Sequence, residues 1–174
     1  AYMSRLDGPV DESDDPYHAY DDRPSPGGPR QFSLVDVPIY HTPSEIKQAI
    51  LDQGVLTTSM FWDDAAYRAA DNTYFYTGGT GTNHSVAVVG WDDNKDTASS
   101  SNGAWLIKNS WGSGWGDSGY FWISYDDTAA AGYGASFQVA GPEELSDVYF
   151  HDNFGDVSSL NSPYATNVFT ANSD

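Results

Sequence analysis

The first clear period along the chain is helical. Ile46, Ala49 and Ile50 stand at i, i+3 and i+4, a spacing that lines one face of a helix. Thr42 can cap that helix, Pro43 suits its first position, and Glu45 completes a capping box. Gly54 supplies a stop. One helix is therefore predicted over about 43–53. The remaining apolar pattern is extended. Residues 32–40 read as a strand that Pro38 places at an edge or an end. Residues 55–61 read as another strand, and 86–91 form an apolar run of buried-strand length. Residues 104–108 are its hairpin partner across the polar tip 92–103, and 120–125 make a further strand. One helix among several strands predicts an α+β chain dominated by an antiparallel sheet or barrel.

The rest of the chain is less regular. Residues 1–31 are polar and broken by Gly8-Pro9, Asp15-Pro16 and the prolines of 24–29, as a surface-wrapping segment would be. Residues 63–76 are aromatic and mixed, and Gly78, Gly79 and Gly81 make a turn just ahead of His84. From Pro142 the character changes: 147–150 and 167–171 are short strand-like pieces separated by Ser/Asn/Gly-rich chain. The expected organisation is one domain over 1–140, followed by a linker and the start of a further β domain over 141–174.

Charge and composition narrow the classes. The 174 residues hold 25 acidic and 7 basic side chains, a net charge of -18. That field repels nucleic-acid phosphate and anionic lipid, so no nucleic-acid partner is expected. No apolar run approaches membrane-spanning length, so no membrane insertion is expected. Lysine occurs only at 47, 95 and 108, and so acidic a surface fits either a high-salt or secreted setting or simple solubility. An aromatic share of 15% separates the chain from acidic disordered sequences. There is no cysteine, which rules out disulfides and thiolate metal sites within these residues.

Candidate chemistry is concentrated in two segments. One is Asn83-His84-Ser85-Val86-Ala87-Val88-Val89-Gly90-Trp91. The other is Trp105-Leu106-Ile107-Lys108-Asn109-Ser110-Trp111-Gly112-Ser113-Gly114-Trp115-Gly116. Taken alone, His84 could be a core histidine and Asn109 a turn residue. Together with Gly119-Tyr120-Phe121-Trp122-Ile123, the two segments closely resemble the histidine and asparagine motifs of papain-like cysteine proteases, in that family's order. The helix, the strand after Gly54, and Asp11-Glu12-Ser13-Asp14-Asp15-Pro16-Tyr17 also resemble it, so the likeness covers roughly residues 1–140. The tail resembles the entry to a lectin-like β domain found in some secreted or cell-surface prokaryotic members.

The resemblance implies roles. His84 would be the base that takes a thiol proton and then the acid that returns it. Asn109 would orient the imidazole, and Trp111 would shield their bond from water. Asn83, Ser85 and Thr58 are candidate walls of the substrate cleft. A thiolate–imidazolium pair needs a fixed, partly desolvated histidine, and a neutral orienter adds no charge to it. The 25 positions between His84 and Asn109 exceed the usual family gap. The 92–103 tip accounts for the excess, because a hairpin tip can lengthen without moving its strands.

The nucleophile is absent. Papain-type enzymes carry the His and Asn about 130–150 residues after the cysteine, which puts such a cysteine some tens of residues before Ala1 on that spacing. The expectation is a chain carrying the β half of the fold, with the helical half and its cysteine missing. Ala1 agrees, since a processed chain or fragment need not start with Met. The chain alone should then be inactive, its partners being that missing half and a peptide or protein substrate, with no cofactor. The alternative is a non-catalytic homologue serving peptide binding or surface adhesion.

Other motifs carry less. Gly116-Asp117-Ser118-Gly119 resembles a serine-protease nucleophile run, but Tyr120 stands where glycine belongs, and a turn is the better reading. Asp92, Asp93, Asn94 and Asp96 lack the spacing, glycine and distal Glu of a calcium loop. His18, His41 and His151 show no ligand spacing, and no metal site is expected.

Overall fold

The structure is a computed structural model that describes residues 13–14 and 31–141. Almost all of the expected 1–31 segment, and both strand pieces expected in the tail, lie outside the described residues. The backbone divides into two compact units, one over Val37–Phe137 and one combining residues 1–36 with 138–174. Among the described residues no helix is long and apolar enough to cross a membrane.

In the second of these units, β1 (Ser33–Asp36) pairs antiparallel with β10 (Gln138–Ala140), with an irregularity between Leu34 and Asp36. The strand expected over 32–40 is therefore two strands. β2 (Ile39–Tyr40) belongs to the larger unit. The break falls at Pro38, which has no N–H for a ladder. Its carbonyl instead accepts from the Ser136 N–H at 3.1 Å.

The larger unit is one α-helix on one sheet, with a 3₁₀ turn at Asp64–Ala66. The helix α1 (Pro43–Gln53) has the predicted bounds and caps. Thr42 Oγ1 accepts from the Glu45 N–H at 3.3 Å, and the Glu45 carboxylate accepts from the Thr42 N–H at 3.0 Å and the His41 N–H at 3.1 Å. The His41 and Thr42 amides hold the Glu45 carboxyl below its ordinary range. Thr42→Ala should cost about 1 kcal/mol, the usual value of such a cap. A urea-denaturation midpoint that does not fall would contradict that value.

The sheet comprises β2, β3 (Leu56–Met60), β4 (Tyr67–Arg68), β5 (Thr73–Tyr74), β6 (His84–Asp92), β7 (Ala104–Lys108), β8 (Tyr120–Ser124) and β9 (Gly134–Ala135). Their spatial order is β2-β9-β3-β6-β7-β8-β5-β4. All neighbours are antiparallel except β5 and β8. The fold is β-rich α+β, as the pattern implies. Strand alternation puts Leu56, Met60, Val86, Val88, Ile107, Phe121 and Ile123 on the buried face. The helix stripe Ile46, Ala49 and Ile50 joins the same core.

The 92–103 tip is not the wholly solvated loop its composition suggests. Thr97 is buried. The Gly103 N–H donates to the Lys95 carbonyl at 2.9 Å, and the Tyr125 N–H donates to the Gly103 carbonyl at 3.1 Å. Asp93 accepts from Tyr125 Oη at 2.9 Å and pairs with Lys47 of α1. Several polar groups at the tip are thus partnered within the fold.

Candidate active site

His84 opens β6 and Asn109 follows the last residue of β7. The antiparallel register Ala87↔Lys108 puts both at the same end of this central strand pair. A separation of 25 positions in sequence thus becomes one strand spacing. The Asn109 N–H donates to the Gly119 carbonyl at 2.9 Å, which fixes the backbone just past the ladder. Its side chain is buried.

The asparagine oxygen determines the histidine tautomer. Asn109 Oδ1 accepts from the Ser110 N–H at 2.8 Å and lies 3.0 Å from His84 Nε2. An amide oxygen can only accept, so Nε2 carries the proton of the neutral ring. Nδ1 then keeps its lone pair and is the atom able to take a proton. Asn109 Nδ2 is buried and has no hydrogen-bond partner among the described residues. Such an orphan costs about 1–3 kcal/mol, so the residue is placed for its oxygen.

Trp111 stacks on the imidazole, with ring centroids 5.0 Å apart and planes at 21°. The indole is 43% exposed, so it stands between the ring and solvent. Behind it is an aromatic cluster. Trp62 meets Trp111 edge-on at 4.7 Å and 89°, and Trp115 meets Trp111 at 4.9 Å and 87°. Trp62 stacks on Tyr74 at 5.0 Å, and Tyr67 stacks on Trp115 at 5.0 Å. Edge and stacked pairs of this kind contribute about 0.5–1.5 kcal/mol each beyond area burial. Burial pushes the Tyr74 phenol up to about 12. Its hydroxyl donates to the Phe61 carbonyl at 2.7 Å and accepts from the Asp63 N–H at 3.0 Å.

The turn after Asn109 carries Trp111 and Trp115. Gly116 and Gly119 adopt φ of 59° and 92°, in the region that favours glycine. A Cβ at Gly116 would lie 2.5 Å from the Tyr120 carbonyl oxygen, and one at Gly119 would lie 3.3 Å from the Gly112 carbonyl oxygen. Ser118, the serine of the decoy run, sits in this tight turn at φ 57°.

The predicted wall residues separate. Ser85 and Asn83 are exposed and flank His84. Asn83 Oδ1 accepts from the Trp62 N–H at 2.6 Å, and its Nδ2 donates to the Trp62 carbonyl at 3.1 Å. Thr58 is 1% exposed and donates its hydroxyl to the Tyr133 carbonyl at 2.7 Å, so it offers no surface. The reason is parity: Thr58 pairs with Val86 on the core face, whereas Ser59 pairs with Ser85. The alternation of Leu56, Thr58 and Met60 could have shown this. Trp62 had no such signal. It reaches the site because Met60 pairs with His84, a register no motif announces.

The acidic tip residues are engaged elsewhere. Asp92 accepts from the Asn94 N–H at 2.8 Å, and Asp96 lies 3.8 Å from Arg68. Among the described residues no three His, Cys, Asp or Glu converge as a metal site.

Comparison with known proteins gives the family and the fold. The sequence model for the papain family cysteine proteases matches residues 1–139. Cysteine endopeptidase Rep1 of Oryza sativa subsp. japonica is 27% identical over 83% of this chain and 40% of its own length. The cysteine protease and lectin-like domains of Cwp84, a surface layer associated protein of Clostridium difficile, superpose with a TM-score of 0.71 at 31% identity, covering 82% of this chain and 35% of that one. Bromelain protease from Ananas comosus shares the fold, with a TM-score of 0.54 at 23% identity over 74% of this chain and 59% of that one. The chain thus spans less than two thirds of the length of each of these proteins, from 35% to 59%. The family-model match over residues 1–139, with the fold shared with these proteases, shows that this chain belongs to the papain family of cysteine proteases.

Proposed function

We propose that this chain supplies the base and orienter of a cysteine endopeptidase whose thiol lies on a segment outside these 174 residues. His84 Nδ1 takes the thiol proton, and the thiolate adds to a peptide carbonyl. As the peptide C–N bond breaks, the imidazolium returns the proton to the leaving amine. His84 then deprotonates a water that cleaves the thioester, and the thiol is restored. Asn109 holds the ring through these transfers, Trp111 keeps water from their bond, and Asn83 and Ser85 border the substrate path. The observation that carries this reading is the 3.0 Å contact from His84 Nε2 to Asn109 Oδ1, which leaves Nδ1 free as the base.

Two features support a secreted or cell-surface setting: the net charge of -18 and the description of Cwp84 as surface layer associated. Residues 141–174 would lead into a further β domain, a reading supported by the lectin-like domain named with Cwp84. By itself the chain should neither hydrolyse peptides nor react with thiol-directed probes, having no cysteine. Mixed with a cysteine-bearing helical half of a papain-family enzyme, it should restore hydrolysis of a fluorogenic peptide. A complex that forms and stays inert would count against the reading. The absence of cysteine favours a second one, a non-catalytic peptide-binding or adhesive protein. The sequence encoded just before Ala1 separates them: a Gln-x-Cys-Trp-like run supports the enzyme, and serine or alanine in the cysteine's place supports the binder.

A further inference from the structure

Among the described residues three groups meet the His84 ring: Asn109 at one nitrogen, Trp111 stacked on one face, and Trp62 in an edge contact at 6.4 Å and 72°. Trp111 is itself exposed, so something must keep it seated. Trp62 does so with its edge, at 4.7 Å and 89°. Trp62 lies beyond the end of β3 and in no strand. A backbone that leaves its ladder needs new partners for its N–H and C=O. Here one side chain supplies both. Asn83 accepts from the Trp62 N–H at 2.6 Å and donates to the Trp62 carbonyl at 3.1 Å, while the Asn83 N–H donates to the Met60 carbonyl at 3.0 Å. This continues the β3–β6 ladder by one rung, built from an amide side chain.

The Trp62 indole is fixed by its own neighbours as well. Its Nε1 donates to Asp64 Oδ1 at 2.9 Å, and its face stacks on Tyr74 at 5.0 Å. It also makes edge-to-face contacts with Trp111, Trp115 and Phe121. An amide is the side chain suited to the backbone clasp, since it offers a donor and an acceptor side by side. Aspartate lacks the donor.

We infer that Asn83 is a positioning residue for His84, acting through its two-point hold on Trp62 and the edge-to-face contacts of Trp62 with Trp111 and with the His84 ring itself. Its functional meaning rests on the proposed role of His84 as base, but its geometry can be tested without catalysis.

The test is a long-range proton–nitrogen correlation spectrum of the imidazoles in this chain at alkaline pH. The wild type should show one His84 tautomer, protonated at Nε2, with ring protons displaced upfield by Trp111. Asn83→Ala and Trp62→Leu should lose that displacement and average the two tautomers. Trp62→Phe, which keeps an aromatic edge, should retain both features. Tyr133→Phe, which removes only the Ser59 hydroxyl contact of that ring, should match the wild type. A folded Asn83→Ala or Trp62→Leu variant with unchanged His84 signals would overturn the inference. Should the alanine variant fail to fold, Trp62→Leu still decides, because it keeps the clasp. Hydrogen exchange in the wild type adds a check free of mutation: the Trp62 amide should be protected, and exchange at the rate of a free amide would overturn the clasp. An inert reassembled enzyme would leave these spectra intact, so the two readings fail separately.

Discussion

His84→Ala, made in an enzyme reassembled from this chain and a cysteine-bearing half, is expected to lower kcat/KM about 10²–10⁴-fold, the scale of a positioned general base. The defect should depend on pH. Without the imidazole the thiol ionises near its ordinary value of about 8.5, so only a few per cent is thiolate at neutral pH. The variant should therefore recover part of its loss as pH rises through that range, whereas the parent enzyme should not gain in parallel. Asn109→Ala should lose less, about ten- to a hundredfold. That is the worth of one hydrogen bond to a charged partner, about 1.5–3 kcal/mol, since the ring remains and only its orientation is freed. Pre-steady-state kinetics with a fluorogenic peptide would measure both. A His84→Ala loss below tenfold in an intact complex would remove this histidine from the chemistry.

Phe121→Ala should be among the most destabilising substitutions in the larger unit, at about 3–5 kcal/mol. Phe121 is 0% exposed on β8. Its ring meets Trp115 at 5.3 Å, Trp62 at 5.7 Å, Tyr74 at 6.3 Å and Tyr67 at 6.4 Å. Deleting it removes the transfer energy of a large ring and leaves a cavity that four neighbouring rings are too rigid to fill. Phe121→Leu, which keeps most of the volume, should cost no more than roughly 1.5 kcal/mol. Urea unfolding followed by tryptophan fluorescence reads both, because Trp62 and Trp115 border the lost ring. Equal costs for the two variants would mean that ring packing is not what holds this cluster. A folded alanine variant should also show looser packing of Trp111 on His84, since both tryptophans next to Trp111 rest on Phe121.

How much of this was legible in the sequence depended on whether the determinant was local. The helix could be read to the residue because Thr42, Pro43, Glu45 and Gly54 act within a few positions of one another. The β6 and β7 strands could be read from apolar runs bounded by polar chain. The two-residue strands β4, β5 and β9 could not, since two residues carry no period and owe their state to a partner. The parallel pairing of β5 with β8 joins segments far apart in the chain. The site shows the same division. His84, Asn109 and Trp111 stand inside recognisable motifs. Trp62 enters through strand register, and Thr58 leaves the cleft through strand parity.

The turn that closes the site has a further consequence. Gly116 and Gly119 are held by backbone contacts that a Cβ would breach, and Trp115 by the rings around it. This Trp/Gly stretch therefore signals a scaffold constraint, and it would persist in a descendant that had exchanged its histidine or never met a thiol. The chain's most recognisable signature is thus a mark of ancestry. Whether any bearer of it still cuts peptide bonds is decided by two side chains that the glycines neither require nor reveal.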